Sequence, residues 1–409
     1  MTSKLIKDRT GKEYPVQKAF ASVSASYLEH HGLSEEQQKA FDCISRCKTG
    51  ELGYNMSFCN ECGFYEIRAN SCNNRNCPCC QAPLEMKWVI ARDSEIIDKI
   101  AYYHSIFTVP HELNDLIYEN QKLLYDLLFK STSDTIMTLC RDKKYLGATP
   151  GIVMVLHTWG QKVNYHPHIH TMLSGGGLTP DGRFVEAKHK GYLLPKEVMG
   201  SLFRGKFLAG LRKLHDSGRL LLDGSCKYLR NSYEWNEYID SLYRKNWIPH
   251  IKETFNGNGN AVKYLARYAY RTAIANSRID SVSESDVSFN YKDYADESKE
   301  KVLKVPTEEF VSRFLKHILP KGFCRIRFVG FLANSCKTRK LKLIHKLRNT
   351  IYLENPVKGK NTAFILKLVY GVDTCICPNC GGNIHFLRAS PGINKDQLIG
   401  LHFRSSKTE

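Results

Sequence analysis

The stretch YHPHIHTMLS, Tyr165–Ser174, decides how this chain is read. On a strand, side chains two residues apart share a face. His168 and His170 therefore project side by side, while Ile169 between them turns to the core on the other face. Two imidazoles at this spacing can share one divalent cation and leave coordination positions open. A phosphodiester oxygen needs such an open position if the cation is to act as a Lewis acid. A third ligand is required. His157 lies on the preceding strand, GIVMVLHTWG (Gly151–Gly160), and a short hairpin brings it alongside. His166 shares the face of His168 but stands further along, with Pro167 tilting it away, so His157 is the favoured third ligand.

Working outward, HSIFTVP (His104–Pro110) is a β-branched and aromatic run stopped by proline, hence another strand. A helix is expected from about Leu113 to Arg141. GGGLTPDG (Gly175–Gly182) is expected to turn the chain into a short strand around Phe184. Further helices are expected near 195–217, 234–246 and Asn260–Ala275, then a strand FCRIRFVGFLA (Phe323–Ala333) and a basic helix to about Leu353. Ahead of the body, polar helical residues from about Pro15 to Arg46 lead into a cysteine-rich segment, and a helix over Leu84–Tyr103 connects it onward. Strands and helices mix without regular βαβ alternation, which indicates an α+β fold with a largely antiparallel sheet. The expected divisions are 1–100, a helical and zinc-binding part; 101–335, a catalytic part; and 336–409, a basic C-terminal region.

Lys and Arg number 59 against 41 Asp and Glu, a net charge of +18. That excess favours polyanions, because each neutralised phosphate releases counterions. No run of about 18 apolar residues implies a membrane span, and the N-terminus lacks the apolar core of a secretory signal. A cytoplasmic, nucleoid-associated protein is expected. Its 15 cysteines are therefore expected as metal ligands rather than as disulfides. Eight fall between Cys43 and Cys80. Cys59-x2-Cys62 and Cys77-x2-Cys80 have the spacing of two knuckles converging on one structural Zn²⁺. Cys43, Cys47, Cys72 and Cys79 are left as candidates for a second. Arg68, Arg75 and Lys87 around them suit contact with phosphates. Cys377-x2-Cys380 is half a zinc site, with Cys336, Cys375 and His385 open as completing ligands.

Residues 260–278 read NAVKYLARYAYRTAIANSR. Tyr264 and Tyr268, four apart, share one face of a helix, whereas Tyr270 points elsewhere. A phenol with pKa about 10 is a weak nucleophile at neutral pH; Lys263, Arg267 and Arg271 beside it, and a cation polarising the phosphate, would compensate. From spacing alone the pair would more often simply pack a helix on a sheet. Its combination with the histidine strand shifts the reading toward catalysis.

HSIFTVPHEL, LHTWGQ, HPHIH followed by GGGL, and YLARY…RTAIANSR, together with SCNNRNCPCCQ and FLKHILPKGFCRIRFVGFLAN, resemble in order the motif series of the HUH two-tyrosine transposases. More narrowly, they resemble insertion-sequence family ninety-one, related to Helitrons, over most of residues 40–335. The resemblance implies an HUH-endonuclease-type sheet preceded by a zinc-ribbon-like module. It also implies a single-strand endonuclease that forms a 5′-phosphotyrosine and leaves a free 3′-OH. His168 and His170 fall on the metal-binding pair and Tyr264 and Tyr268 on the nucleophiles, with Mg²⁺ or Mn²⁺ as the metal. Two tyrosines allow one strand end to be held while a second cut is made or resolved. The chain departs from the family pattern at Asn55 and Asn76, where histidines commonly stand.

The segment Lys321–Arg348 carries nine Lys or Arg and no acid, and Arg325 and Arg327 within it are candidate strand contacts. The expected function is thus rolling-circle transposition on single-stranded element ends and target. No Walker A loop is present, so a host helicase or replication fork would separate the strands. Three other readings remain: a plasmid replication initiator or relaxase of the same chemistry, a non-catalytic zinc-finger DNA binder, and a hydrolase that activates water through His157, His168 and His170.

Overall fold

The computed structural model describes residues 14–23, 27, 32–187, 193–253, 269–270 and 272–405. Its strands are β1 (Tyr54–Phe58), β2 (Tyr65–Ala69), β3 (Tyr102–Thr108), β4 (Thr149–Trp159), β5 (Tyr165–Leu178), β6 (Phe184–Glu186), β7 (His250–Glu253), β8 (Ile279–Val282), β9 (Asp286–Asp293), β10 (Lys299–Pro306), β11 (Ile326–Gly330) and β12 (His385–Arg388). The described helices are α1 (Pro15–Ser22), α2 (Glu35–Arg46), α3 (Ala82–Asp93), α4 (Asn114–Glu119), α5 (Gln121–Arg141), α6 (Lys196–Asp216), α7 (Ser232–Arg244), α8 (Thr307–Leu315), α9 (Lys337–Leu347), α10 (Thr362–Tyr370) and α11 (Lys395–Ser405). Helices and antiparallel sheets are mixed as expected. None of the described helices is long and apolar enough to cross a membrane.

The central sheet runs β11-β4-β5-β3-β7, with β6 added to β5, and every pairing is antiparallel. β4 and β5 are middle strands covered on both faces, so β4 carries the continuous apolar run Ile152–Leu156, whereas β5 keeps His168 and His170 on one of its buried faces. On one face Ile152, Met154, Leu156, Ile169, Leu173, Tyr103 and Phe107 pack under α5 and α6 in the main core. On the other, Val153, Val155 and Met172 meet Trp88, Phe331, Leu341 and Ala269. The histidines lie on this second face.

The glycine run is strand rather than turn. β5 continues through Gly175–Gly177, where a Cβ would fall 2.8 Å from Ala101 O, 2.6 Å from the Phe184 ring and 2.7 Å from Thr149 O. Three neighbouring strands crowd this end of β5, and only glycine fits. The reversal is confined to Thr179–Gly182, with Gly182 at φ +83°. The expected helix over 113–141 is likewise broken, at Asn120 (φ −120°, ψ 36°). Its side chain leaves the helix to bond both ways with Leu221, Nδ2 donating to the carbonyl at 2.9 Å and Oδ1 accepting from the amide at 2.7 Å.

A second core, not anticipated from the sequence, forms where the β8–β10 meander and α8 pack against α1 and α2. α2 begins with a capping box in which Ser34 Oγ accepts from Gln37 N and Gln37 Oε1 accepts from Ser34 N. Gln37 Nε2 then donates to Leu315 O at 3.1 Å, tying α2 to α8.

The smallest sheet runs β12-β1-β2. Its edge strand comes from the other end of the chain, with Asn55 opposite Arg388 and Phe58 opposite His385. Residues 385–388, from the C-terminal region, thus join the N-terminal sheet, because β1 offers a free edge that β12 satisfies.

Candidate metal centre

The tight hairpin Gly160–Asn164 sets β4 against β5 so that His157 stands directly opposite His168. Alternation places His170 one step further along β5, opposite Val155. One nitrogen from each of His157, His168 and His170 lies within 4.8 Å of the others, and all three residues are buried. His157 is thus brought to the pair. His166 is not in the group; its carbonyl instead accepts from His168 Nδ1 at 2.7 Å.

That bond fixes the His168 tautomer. A carbonyl can only accept, so Nδ1 carries the proton and Nε2 presents its lone pair. Burial lowers the His168 pKa to about 4, which keeps the ring neutral. His168 Nε2 and His170 Nε2 are 3.0 Å apart, and His170 Nδ1 is 2.9 Å from His104 Nε2. Without a cation, one proton on His170 Nε2 bridges to His168 while His104 donates from behind. Holding a cation would call for the other tautomers, with the proton of His170 on Nδ1 donating to His104 Nε2 and that of His104 on its Nδ1, which would leave both His168 Nε2 and His170 Nε2 lone pairs free. Ligands bound at about 2.1 Å and at right angles stand about 3.0 Å apart, so the donor set fits a divalent cation with further positions open. Burial, reinforced by the nearby His250, Lys252 and His168, lowers the His104 pKa to about 3, so it too is neutral. His104, on β3 diagonally across from His170, was not picked out as a site residue in the sequence. Its place in HSIFTVP two strands from β4, at a position facing the histidine side of the sheet, is the signal that would have found it.

Tyr264 and Tyr268, with Lys263, Arg267 and Arg271, lie outside the described residues. The chain enters that segment after Glu253, at the end of β7, and returns at Ala269, fully buried on the histidine face of the sheet. Tyr270 packs edge-on against Trp88 at 6.3 Å. The expected helix to Ala275 does not extend that far, since Thr272–Ala275 are non-helical and Thr272 Oγ1 donates to Ile274 O at 2.9 Å.

Among the basic candidates, Arg327 is engaged inside the fold, paired with Asp126 and stacked 4.1 Å from the Phe129 ring centre. Arg325 sits beside Leu156, with its carbonyl accepting from Leu156 N, and burial lowers its pKa to about 10. Arg75 donates to the carbonyls of Phe323, Leu319 and Pro320, fastening the cysteine module to the body rather than facing phosphate. Arg68 pairs with Glu66 at 2.8 Å and Lys87 donates to Lys360 O at 2.7 Å. On α9, Lys337 pairs with Glu95 at 2.6 Å, whereas Arg339, Lys342 and Lys346 face solvent.

The cysteines regroup. Cys77 and Cys80 lie with Cys47 and Cys72, and Cys59 and Cys62 lie with Cys377 and Cys380. The expected single site of Cys59, Cys62, Cys77 and Cys80 is corrected, because β1 and β2 carry the Cys59 knuckle away from Cys77. In the first group Cys80 Sγ is 3.7 Å from both Cys47 and Cys72, and Gln17 Nε2 of α1 donates to Cys77 Sγ at 3.3 Å. Cys43 and Cys79 stand outside it; Cys79 Sγ accepts from Asn276 Nδ2 at 3.3 Å. Cys336, Cys375 and His385 are in neither group.

Two family models match the chain: "Transposase zinc-binding domain" over residues 19–109 and "Putative transposase" over residues 151–340. The putative transposase y4qJ of Sinorhizobium fredii is 37% identical over 334 residues, covering 81% of this chain and 83% of that one. The transposase for insertion sequence element IS801 of Pseudomonas savastanoi pv. phaseolicola is 26% identical over 378 residues, 91% of this chain and 89% of that one. Among solved structures, the conjugative relaxase TrwC in complex with oriT DNA matches 42% of this chain and 64% of its own at 12% identity. Its TM-score of 0.22 is too low to carry an argument.

Proposed function

The chain belongs to the transposases of insertion-sequence family ninety-one, and from that premise we propose that it nicks and rejoins single-stranded DNA at element ends, driving rolling-circle transposition. The convergence of His157, His168 and His170 on one face of the central sheet carries the proposal. A divalent cation there, Mg²⁺ or Mn²⁺, would polarise the scissile phosphate and offset its charge. His168 and His170 would offer their Nε2 atoms to the cation, and His104 and the His166 carbonyl fix their orientation.

Tyr264 or Tyr268 supplies the nucleophile. Its Oη forms a bond to phosphorus as the P–O3′ bond breaks. The phenol proton goes to solvent and the departing 3′ oxygen takes up one. One diester is exchanged for another, so the strand can be rejoined without ATP. Lys263, Arg267, Arg271 and Arg325 would neutralise the strand beside the reacting phosphate. A host helicase or replication fork supplies single strands; unaided unwinding of duplex by the purified protein would overturn that part. Cys47, Cys72, Cys77 and Cys80 hold a structural Zn²⁺ as four thiolates, a closed set with no position for substrate.

The test uses the full-length protein with single-stranded element-end DNA and Mn²⁺. A covalent protein–DNA adduct that maps to Tyr264 or Tyr268, and vanishes in the Tyr264→Phe/Tyr268→Phe protein, is expected. Cutting that persists in the double variant would establish water activation by the histidines instead. Binding without any cleavage would establish a non-catalytic binder.

A further inference from the structure

Cys59-Asn60-Glu61-Cys62-Gly63 and Cys377-Pro378-Asn379-Cys380-Gly381 fold into the same turn. In the first, Cys59 N donates to Phe64 O at 2.8 Å and Gly63 N to Cys59 O at 3.1 Å. In the second, Cys377 N donates to Gly382 O at 2.7 Å and Gly381 N to Cys377 O at 3.0 Å. Both glycines sit in the left-handed region, at φ +70° and +78°. Gly382 N also points at Cys380 Sγ, 3.4 Å away.

The two turns face each other. Cys59 Sγ is 3.6 Å from Cys380 Sγ, and Cys62 Sγ is 3.6 Å from Cys377 Sγ, across 321 and 315 residues of chain. A disulfide requires about 2.05 Å. Four thiolates at about 2.3 Å around a tetrahedral Zn²⁺ stand about 3.8 Å apart, which is close to what is seen. The surrounding packing is modest: β12 has four residues, and among the described residues the adjoining cluster buries Tyr54, Met56, Ala389 and Leu398, with Phe58, Tyr65, Ile67, Ala69, Leu387 and Ile393 half-buried around them. So modest an apolar contact offsets only part of the entropy lost in ordering the segment.

We propose that Cys59, Cys62, Cys377 and Cys380 form a second Zn²⁺ site, a clasp that fastens the C-terminal segment to the N-terminal module. The site rests on the zinc reading of that module and is independent of the tyrosine chemistry. It also lies partly beyond residues 19–109, the span matched by the zinc-binding family model. Cys375, exposed and two residues from Cys377, takes no part.

Zinc per chain is measured by elemental analysis on soluble full-length protein carrying His168→Ala/His170→Ala, which silences the histidine centre. About two zinc ions are expected from this pairing. Cys377→Ser/Cys380→Ser and Cys59→Ser/Cys62→Ser should each leave about one, their combination also about one, and Cys375→Ser two. Adding Cys77→Ser/Cys80→Ser to Cys59→Ser/Cys62→Ser should leave none, whereas a site shared between those pairs would lose a single ion. Limited trypsin digestion should release fragments of residues 372–405 from the Cys377→Ser/Cys380→Ser protein much faster than from its parent. Zinc content unchanged by Cys377→Ser/Cys380→Ser would overturn the clasp and leave the first site standing. Absence of zinc from the parent would overturn both.

Discussion

The histidine centre and the thiol groups are built in opposite ways. His157, His168 and His170 come from one hairpin, with His157 opposite His168 in register, and all three share one buried face of the sheet. The thiol groups gather residues from separate segments, 33 residues apart between Cys47 and Cys80 and 321 apart between Cys59 and Cys380. Ligands close in sequence on rigid strands suit a site that must stay open and stay put while substrate comes and goes. Ligands distant in sequence suit a closed site whose work is to hold segments together, since the bound metal repays the cost of closing a long loop.

The contrast is most sharply broken by His168→Ala or His170→Ala. Either should reduce strand cleavage by at least about 10³-fold while leaving the thiol-bound zinc in place. Loss of zinc along with activity would mean the two regions are not separable. Acid is the next lever. His317 is buried between Thr158 Oγ1 and Val163 O, and burial lowers its pKa to about 4. The unfolded chain, with an ordinary value near 6.5, binds the proton first, so this contribution is full above pH 6.5 and is lost as pH falls toward 4. Urea unfolding should show wild type losing up to about 1.4 kcal/mol per pH unit more than His317→Gln over that window. Equal slopes would rule this out.

A smaller effect is expected at His104. It touches His170 and not the substrate, so His104→Ala should weaken Mn²⁺ binding about 10- to 100-fold. Calorimetric titration of Mn²⁺ reads this directly, and cleavage should recover at high Mn²⁺, which a catalytic loss would not permit. Smallest is Ser34→Ala, which removes a helix cap and should cost about 1 kcal/mol without changing metal content at either kind of site.

The histidine strand was legible because a period of two is a local property and His157, His168 and Ile169 obey it. The glycine run was misread for a reason equally physical: glycine marks both turns and crowded strands, and only the nearness of Ala101, Thr149 and Phe184 decides between them. The break at Asn120 was invisible because its partner, Leu221, lies a hundred residues away. Nearness in sequence groups Cys59 and Cys62 with Cys77 and Cys80, whereas the fold places them beside Cys377 and Cys380. The C-x-x-C-G pattern shared by 59–63 and 377–381, absent from Cys77–Gln81, is the sequence signal for the grouping the fold makes.

By itself, the sequence determined the alternation that aims His168 and His170 together, the positive charge that favours nucleic acid, and the cysteine knuckles. Each depends only on neighbours along the chain. Tertiary structure alone decided that His104 backs His170, that Arg75 and Arg327 serve the fold, and that Cys59 and Cys62 meet Cys377 and Cys380. Those depend on which segments lie side by side once the cores are packed, and sequence spacing does not encode that.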